Sequence, residues 1–251
     1  MTEPDSKTVI RFDRVTKYYP AYHHVTGGIK TVLFHFPQVI QSLKKRHLAL
    51  EDISFSIRQG ECFGIWGRNG AGKSTTLGLI AGVLKPSSGR VEVRGKVTPL
   101  LQLGAGFHPD LSGRENILLN GMLLGMSRAQ IRQREDEIIA FADIGVFIDE
   151  PIRTYSSGML SRLGFSVAIH SDPQILLLDE ILAVGDVQFR EKCTQRIQAL
   201  RSQGVTMVLV SHAAQEMADF CDRVLVIADH HVLAEGPPRD VLPLGGSADH
   251  G

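Results

Sequence analysis

Residues 67–75 read G-R-N-G-A-G-K-S-T, a fit to G-x-x-x-x-G-K-[ST], the pattern of a phosphate-binding loop. Each residue type has a task in that pattern. Gly67, Gly70 and Gly72, with Asn69 and Ala71 between them, let the backbone bend until several N–H groups converge on one anion. Lys73 brings a point charge for β- and γ-phosphates. The Ser74 hydroxyl, followed by Thr75, can ligate Mg²⁺. A helix opening at Lys73 would turn its positive dipole end on the same anion.

Other residues fit the same chemistry. The run I-L-L-L-D-E (175–180) ends a continuous apolar stretch in two carboxylates. Asp179 can hold Mg²⁺ through water, opposite Ser74, and Glu180 on the same strand end can orient an attacking water or take its proton. His212 lies at the tip of another expected strand, where it could hydrogen-bond a γ-phosphate and sense its loss. Gln102 could report that loss to a partner across Gly104-Ala105-Gly106. Tyr18 or Tyr19 offers a π-face for an adenine ring.

The loop requires a strand before it and a helix after it, and residues 61–66 and 75–84 suit those roles. Alternation predicts strands at 9–15 and 50–57, and a turn at 86–89 leads into a strand at 90–94. Residues 97–103 form an apolar strand that ends in a flexible glycine joint. Residues 111–144 are mainly helical, with one helix at 116–124. Ser127 and Gln130 form a capping box for a second, which reaches about Ala142 and buries Ile131, Ile138, Ile139 and Phe141. Y-S-S-G-M (155–159) is a small-residue turn before a helix at 160–170. Residues 175–178 suit a central parallel strand buried on both faces. Helices at 191–201 and 213–220, a strand at 206–210, and a hairpin of 224–228 with 231–234 complete an α/β pattern, with 237–251 loose.

One segment, 20–48, stands apart. Pro37 can open a helix over 38–47 that sets Val39, Ile40 and Leu43 beside Lys44, Lys45 and Arg46. An apolar stripe beside a basic cluster suits a membrane interface or membrane partner. It equally suits a helix that covers its own sheet and solvates its basic end.

Composition narrows the class. The 251 residues are 43% hydrophobic and carry no net formal charge, so no global field recruits nucleic acid. No apolar run approaches the roughly 20 residues of a membrane span, and no signal peptide opens the chain. Cys62, Cys193 and Cys221 are odd in number and widely spaced, which predicts reduced, buried thiols and no zinc site.

In their order, these motifs resemble the ATP-binding subunit of ABC transporters, over residues 9 to about 242. The resemblance implies one P-loop NTPase (RecA-like) domain over residues 1–240, with ATP and Mg²⁺ as cofactors. Its core would be about 1–103 and 160–240, with an N-terminal antiparallel β subdomain, an inserted α-helical subdomain at about 104–159 and a tail at 241–251. It implies that Lys73, Glu180 and His212 act on ATP, and that Tyr19 stacks the adenine. Ser74 and Asp179 would hold Mg²⁺, with Gln102 as a further possible ligand, one position from where the family glutamine falls. Ser156, Ser157 and Gly158 would cover the γ-phosphate of a second copy, although Ser157 and Met159 depart from the common L-S-G-G-Q. Asp186 in A-V-G-D resembles the D-loop.

A narrower resemblance rests on L-L-Q-L-G-A-G-F-H-P-D-L-S-G-R-E-N-I (100–117), T-Y-S-S-G-M, D-E-I-L-A-V-G-D and the 20–48 insertion. Together they resemble the branch that exports O-antigen, teichoic acid and similar lipid-linked glycans. This implies a head-to-tail homodimer, peripheral on the cytoplasmic face of the cytoplasmic membrane, with an integral membrane permease, a lipid-linked glycan as cargo and no nucleic acid partner. In that branch the insertion resembles an element near the membrane entrance for the substrate. Two other readings stay open, an ABC ATPase for a drug or lipid and a soluble one acting on ribosomes or DNA. The single cassette, the absence of sustained heptads and the absence of a basic excess weigh against the last.

Overall fold

Two kinds of strand sort the chain into two sheets. A computed structural model describes residues 7–20, 46–100, 104–179, 185–211 and 213–246. The long alternating strands β1 (Thr8–Pro20) and β2 (Arg46–Arg58) pair antiparallel, and β4 (Ser88–Val93) joins on the other side of β1. The short apolar strands β3 (Cys62–Trp66), β6 (Ile175–Asp179) and β7 (Thr206–Val210) lie inside a second sheet ordered β5-β6-β7-β3-β8-β9. There β5 (Val97–Pro99), β6, β7, β3 and β8 (Arg223–Ala228) run parallel, and β9 (His231–Gly236) closes the edge antiparallel. Continuous burial of β6 and β7 is what a parallel strand covered on both faces requires.

Because successive side chains leave a strand on opposite faces, β6 serves two cores. Ile175 and Leu177 pack with Ile10, Ile53, Phe63 and Leu77, between the two sheets and under α1 (Lys73–Ile80). Phe12, Phe55 and Phe63 form a ring stack there, with centroids 4.4 and 5.4 Å apart. Leu176 and Leu178 face the other way, onto α4 (Ser157–Ile169) and α5 (Val187–Ser202). Phe141, Phe165 and Phe189 meet there in edge and offset contacts of 5.7–6.1 Å.

The helical block holds α2 (Gly113–Leu123), α3 (Arg128–Ala142) and the N-terminal half of α4, with 3-10 turns at Gly145–Asp149 and Ile152–Thr154. Ser127 and Gln130 form the expected capping box, and Ser112 with Glu115 forms another at α2. Ile131 and Ile138 are buried as predicted, whereas Ile139 and Phe141 are half-buried. Helix α4 belongs to two cores. Leu163 and Val167 pack within the block, while Phe165, Ala168 and Ile169 pack on the parallel sheet. Its C-terminal carbonyls are held from both sides: Arg134 of α3 donates to the His170 carbonyl at 2.6 Å, and Lys96, just before β5, donates to the Ser171 carbonyl.

Several boundaries differ from the sequence reading. β1 runs past Val15 to Pro20, because register shifts around Arg14 (φ 47°) let the strand bend and resume pairing. Arg46 and His47 are therefore strand residues of β2 and not the end of a helix. Residues 38–45 of that expected helix lie outside the described residues, as do 101–103 of the strand expected at 97–103. The residues of Y-S-S-G-M from Ser157 onward are already helical. Their N-cap is Ser156, whose hydroxyl accepts from the Met159 N–H. After α6 (Ala214–Phe220), the stretch 237–251, expected loose, contains α7 (Pro238–Gly246), which buries Val241 and Leu242 against β8 and β9. All three cysteines are buried and free, and burial holds the Cys193 thiol up at about 12.

Candidate active site

The phosphate loop, residues 67–72, leaves β3 and enters α1 at an edge the fold keeps tight. Gly72 is the N-cap, with φ 109°, and a Cβ there would press on the Ala49 carbonyl oxygen and the Leu50 side chain. A Cβ on Gly67 would collide with the Ile227 carbonyl of β8. Both are glycine because neighbouring backbone passes too close for a side chain. Asn69 and Gly70 are exposed on the loop, Ala71 is buried, and Ala71 N–H donates to the Arg68 carbonyl at 3.1 Å. The Lys73 side chain is only 7% exposed. Its ammonium folds back into the loop and donates to the Gly67 and Arg68 carbonyls at 2.7 and 3.0 Å. The two carbonyl acceptors offset part of what burying the ammonium costs, and the same donor geometry fits phosphate oxygens.

Ser74 is exposed in the first turn of α1, Thr75 is half-buried and Thr76 locks the turn by donating to the Gly72 carbonyl at 3.0 Å. Asp179 ends β6, half-buried. It lies in register with Val210 of β7, which is in register with Ile65 of β3, just before the loop. Two strand spacings put Asp179 about 10 Å across the sheet edge from the loop's root. The set is one hydroxyl and one carboxylate, both hard oxygen donors. Among the described residues no group of three or more His, Cys, Asp or Glu could hold a metal. That set fits an Mg²⁺ that arrives on phosphates and keeps its waters, and does not fit a dedicated cage.

Ser211 follows β7 at the same edge, buried, and its hydroxyl donates to Glu216 at 2.6 Å while accepting from the Ala213 N–H. Glu180, His212 and Gln102 lie outside the described residues. Ser156 and Ser157 are exposed and Gly158 is half-buried. Asp186 caps α5 by accepting from the Phe189 N–H at 2.9 Å, and it pairs with Arg162 of α4. The Phe189 N–H, joined by the Arg162 guanidinium, holds the Asp186 carboxyl below the usual range.

Comparison with known proteins identifies the family. The ABC transporter family profile matches residues 50–183, more than half of the chain and the stretch from β2 past the Asp179 strand. The chain belongs to the ABC transporter family. This ABC cassette is 51% identical, over 94% of its length, to the O-antigen export system ATP-binding protein RfbB of Klebsiella pneumoniae, and covers 96% of that protein. It is 40% identical, over 92% of its length, to the teichoic acids export ATP-binding protein TagH of Listeria innocua, and covers 68% of it. Among solved structures, a dimeric ATP-binding cassette in a post-hydrolysis state with ADP and Pi superposes with a TM-score of 0.69 at 25% identity, covering 92% of this chain and 99% of that one. The fold is the P-loop NTPase fold of ABC cassettes, and the protein is an ATP-hydrolysing enzyme.

The cassette also contains contacts that sequence reasoning missed. Arg162 joins the helix that opens at Ser156 to Asp186, and its guanidinium lies over the Phe189 ring, 5.0 Å from the centroid. The signal was a charged residue inside the otherwise small or apolar L-S-R-L-G-F of α4. Tyr19 is half-buried in β1, and its hydroxyl lies 3.3 Å from the Thr75 Oγ1. This contact ties the expected adenine-stacking residue to the phosphate-loop helix.

Proposed function

We propose that this cassette powers export of a lipid-linked polysaccharide, of the O-antigen or teichoic acid kind, across the cytoplasmic membrane. The observation that carries the proposal is near-full-length identity of 51% to an O-antigen export ATP-binding protein, with teichoic acid exporters also among the relatives. Within the described residues no helix is long and apolar enough to cross a membrane, so the reading calls for a separate integral permease and a peripheral location on the membrane's cytoplasmic face.

In this reading two copies meet head to tail. Lys73 holds the β- and γ-phosphates, and Ser74 and Asp179 would hold Mg²⁺, which when bound would supply neutralisation of phosphate charge. Glu180 orients the attacking water and His212 contacts the γ-phosphate. The partner's Ser156, with the partner's Gly158, covers that phosphate from a helix N-terminus. Closure assembles the site and hydrolysis reopens it. A groove of about 330 Å³ lies where the helical block meets the core, lined by Ala81, Val83, Pro99, Ala105, Asn120 and Leu124. Its apolar lining beside the Gly104–Gly106 joint supports it as the seat for a cytosolic segment of the permease.

The test is genetic. The gene is deleted and restored as wild type or as Glu180→Gln, and both surface glycan and lipid-linked glycan inside the cell are measured. Surface loss with internal accumulation, rescued by wild type alone, is expected. Normal surface glycan in a strain without a second exporter would move the assignment to another cargo.

A further inference from the structure

Two side chains of β1 meet beside the nucleotide loop in a way the ATPase reading does not use. Lys17 and Tyr19 are two residues apart, so they leave the strand on the same face. The Lys17 ammonium lies over the Tyr19 ring, 5.2 Å from its centroid. It is held there by donating to the Lys85 carbonyl at 2.8 Å, just beyond the C-terminal end of α1. The Tyr19 hydroxyl reaches the opposite end of the same helix, at Thr75. The ring is thus fixed at its edge by the phosphate-loop helix and on one face by an anchored cation. A planar base can stack only on the other face.

We propose that Lys17 is a positioning residue for the nucleotide base: it backs the Tyr19 ring and presents the ring's opposite face to adenine. This rests on reading Tyr19 as the adenine-stacking residue. Two physical effects follow from the arrangement. The ring is already oriented before the base arrives, so binding loses less conformational freedom. The cation also draws π-density toward itself, which thins the cloud on the far face, where the base's own cloud must land. The competing role for Lys17 is purely structural, closing off the Lys85 carbonyl.

Calorimetric titration of the full chain separates these roles, with Mg-ATP as one probe and Mg-tripolyphosphate as a base-free probe. Lys17→Met is expected to weaken ATP binding about two- to fivefold and leave tripolyphosphate binding unchanged. Lys17→Arg, which keeps a cation at the ring, should restore ATP binding. Tyr19→Ala should weaken ATP about tenfold or more without affecting tripolyphosphate. In the Tyr19→Ala background Lys17→Met should add nothing, because the residue it positions is gone. The proposal is overturned if Lys17→Met leaves ATP binding intact, weakens both probes alike, or has the same effect with Tyr19 removed. If Tyr19→Ala itself leaves ATP binding unchanged, the stacking assignment falls first and the role of Lys17 falls with it.

Discussion

Replacing Gly72 by alanine tests whether the phosphate loop is held as tightly as its surroundings suggest. The residue has φ 109°, and an added Cβ would stand 2.5 Å from the Ala49 carbonyl oxygen and against the side chain of the fully buried Leu50. The left-handed backbone costs a residue with a Cβ about 1–2 kcal/mol. Forcing the carbonyl and Leu50 aside adds about 1–3 kcal/mol, as overpacking does elsewhere. The total is about 2–5 kcal/mol, an appreciable part of a domain's stability. Gly82 is the control. Its φ is 72°, but nothing lies within 4 Å of its would-be Cβ, so Gly82→Ala should cost only the backbone share, about 1–2 kcal/mol. Urea unfolding with and without Mg-ATP reads both quantities. Gly72→Ala should also lose the stabilisation that bound nucleotide confers by mass action, while Gly82→Ala keeps it. Equal destabilisation by the two variants would refute the steric argument. Full nucleotide stabilisation in Gly72→Ala would show that the loop tolerates displacement and that the phosphates do not depend on its shape.

Other parts of the cassette give further expectations. Tyr155→Phe removes the hydroxyl that donates to the Phe147 carbonyl at 2.5 Å. That carbonyl keeps the Glu150 N–H, so urea unfolding should show a loss of only about 1 kcal/mol. Asp186→Asn keeps a capping oxygen for α5 but surrenders the charge that pairs with Arg162. ATPase turnover should fall more than ATP affinity, as steady-state kinetics beside calorimetry would reveal. Burial pushes the His170 imidazole below its ordinary 6.5, the neighbouring Arg196 and Arg134 acting in the same sense against Glu137 and the Ser166 carbonyl. The folded state therefore prefers the neutral ring. Its contribution is complete above about pH 6.5 and is lost as pH falls through the lower folded value. Melting temperature should drop less steeply on acidification in His170→Gln than in wild type. Replacing Lys44, Lys45 and Arg46 together by glutamine should reduce export in cells more than the ATPase activity of the isolated subunit. Unchanged export would remove the membrane role of the 20–48 insertion.

The parts legible in sequence were those where one local rule decides. The phosphate loop, the apolar run of β6 and the Ser127–Gln130 box each carry their own signal, and each stands where it was read. The errors arose where two rules competed. Residues 16–20 carry no clean alternation, because β1 bends at Arg14 while pairing on both edges, so a strand looked finished at Val15. The small residues of Y-S-S-G-M suggested a turn, but a serine N-cap begins a helix as well. The stretch 237–251 read as loose. Proline at a first helical position is in fact favourable, and Val241 and Leu242 supply the apolar anchor that holds α7 down. The bond from Tyr19 to Thr75 and the pair of Arg162 with Asp186 join residues far apart in sequence, and no spacing rule announces such contacts.

The double membership of α4 has a consequence for how the cassette comes apart. The helical block does not own the helix that fills its centre. Leu163 and Val167 complete the block, while Phe165, Ala168 and Ile169, on the same rigid rod, complete the sheet's outer layer. Melting the block alone would tear a wall from the sheet, and melting the sheet would leave the block without a middle. The two regions therefore share one unfolding free energy, and amide exchange in α2, α3 and β6 should proceed through a common opening. Nucleotide held by the loop after β3 would therefore slow exchange in the helical block of the same copy, through the shared helix.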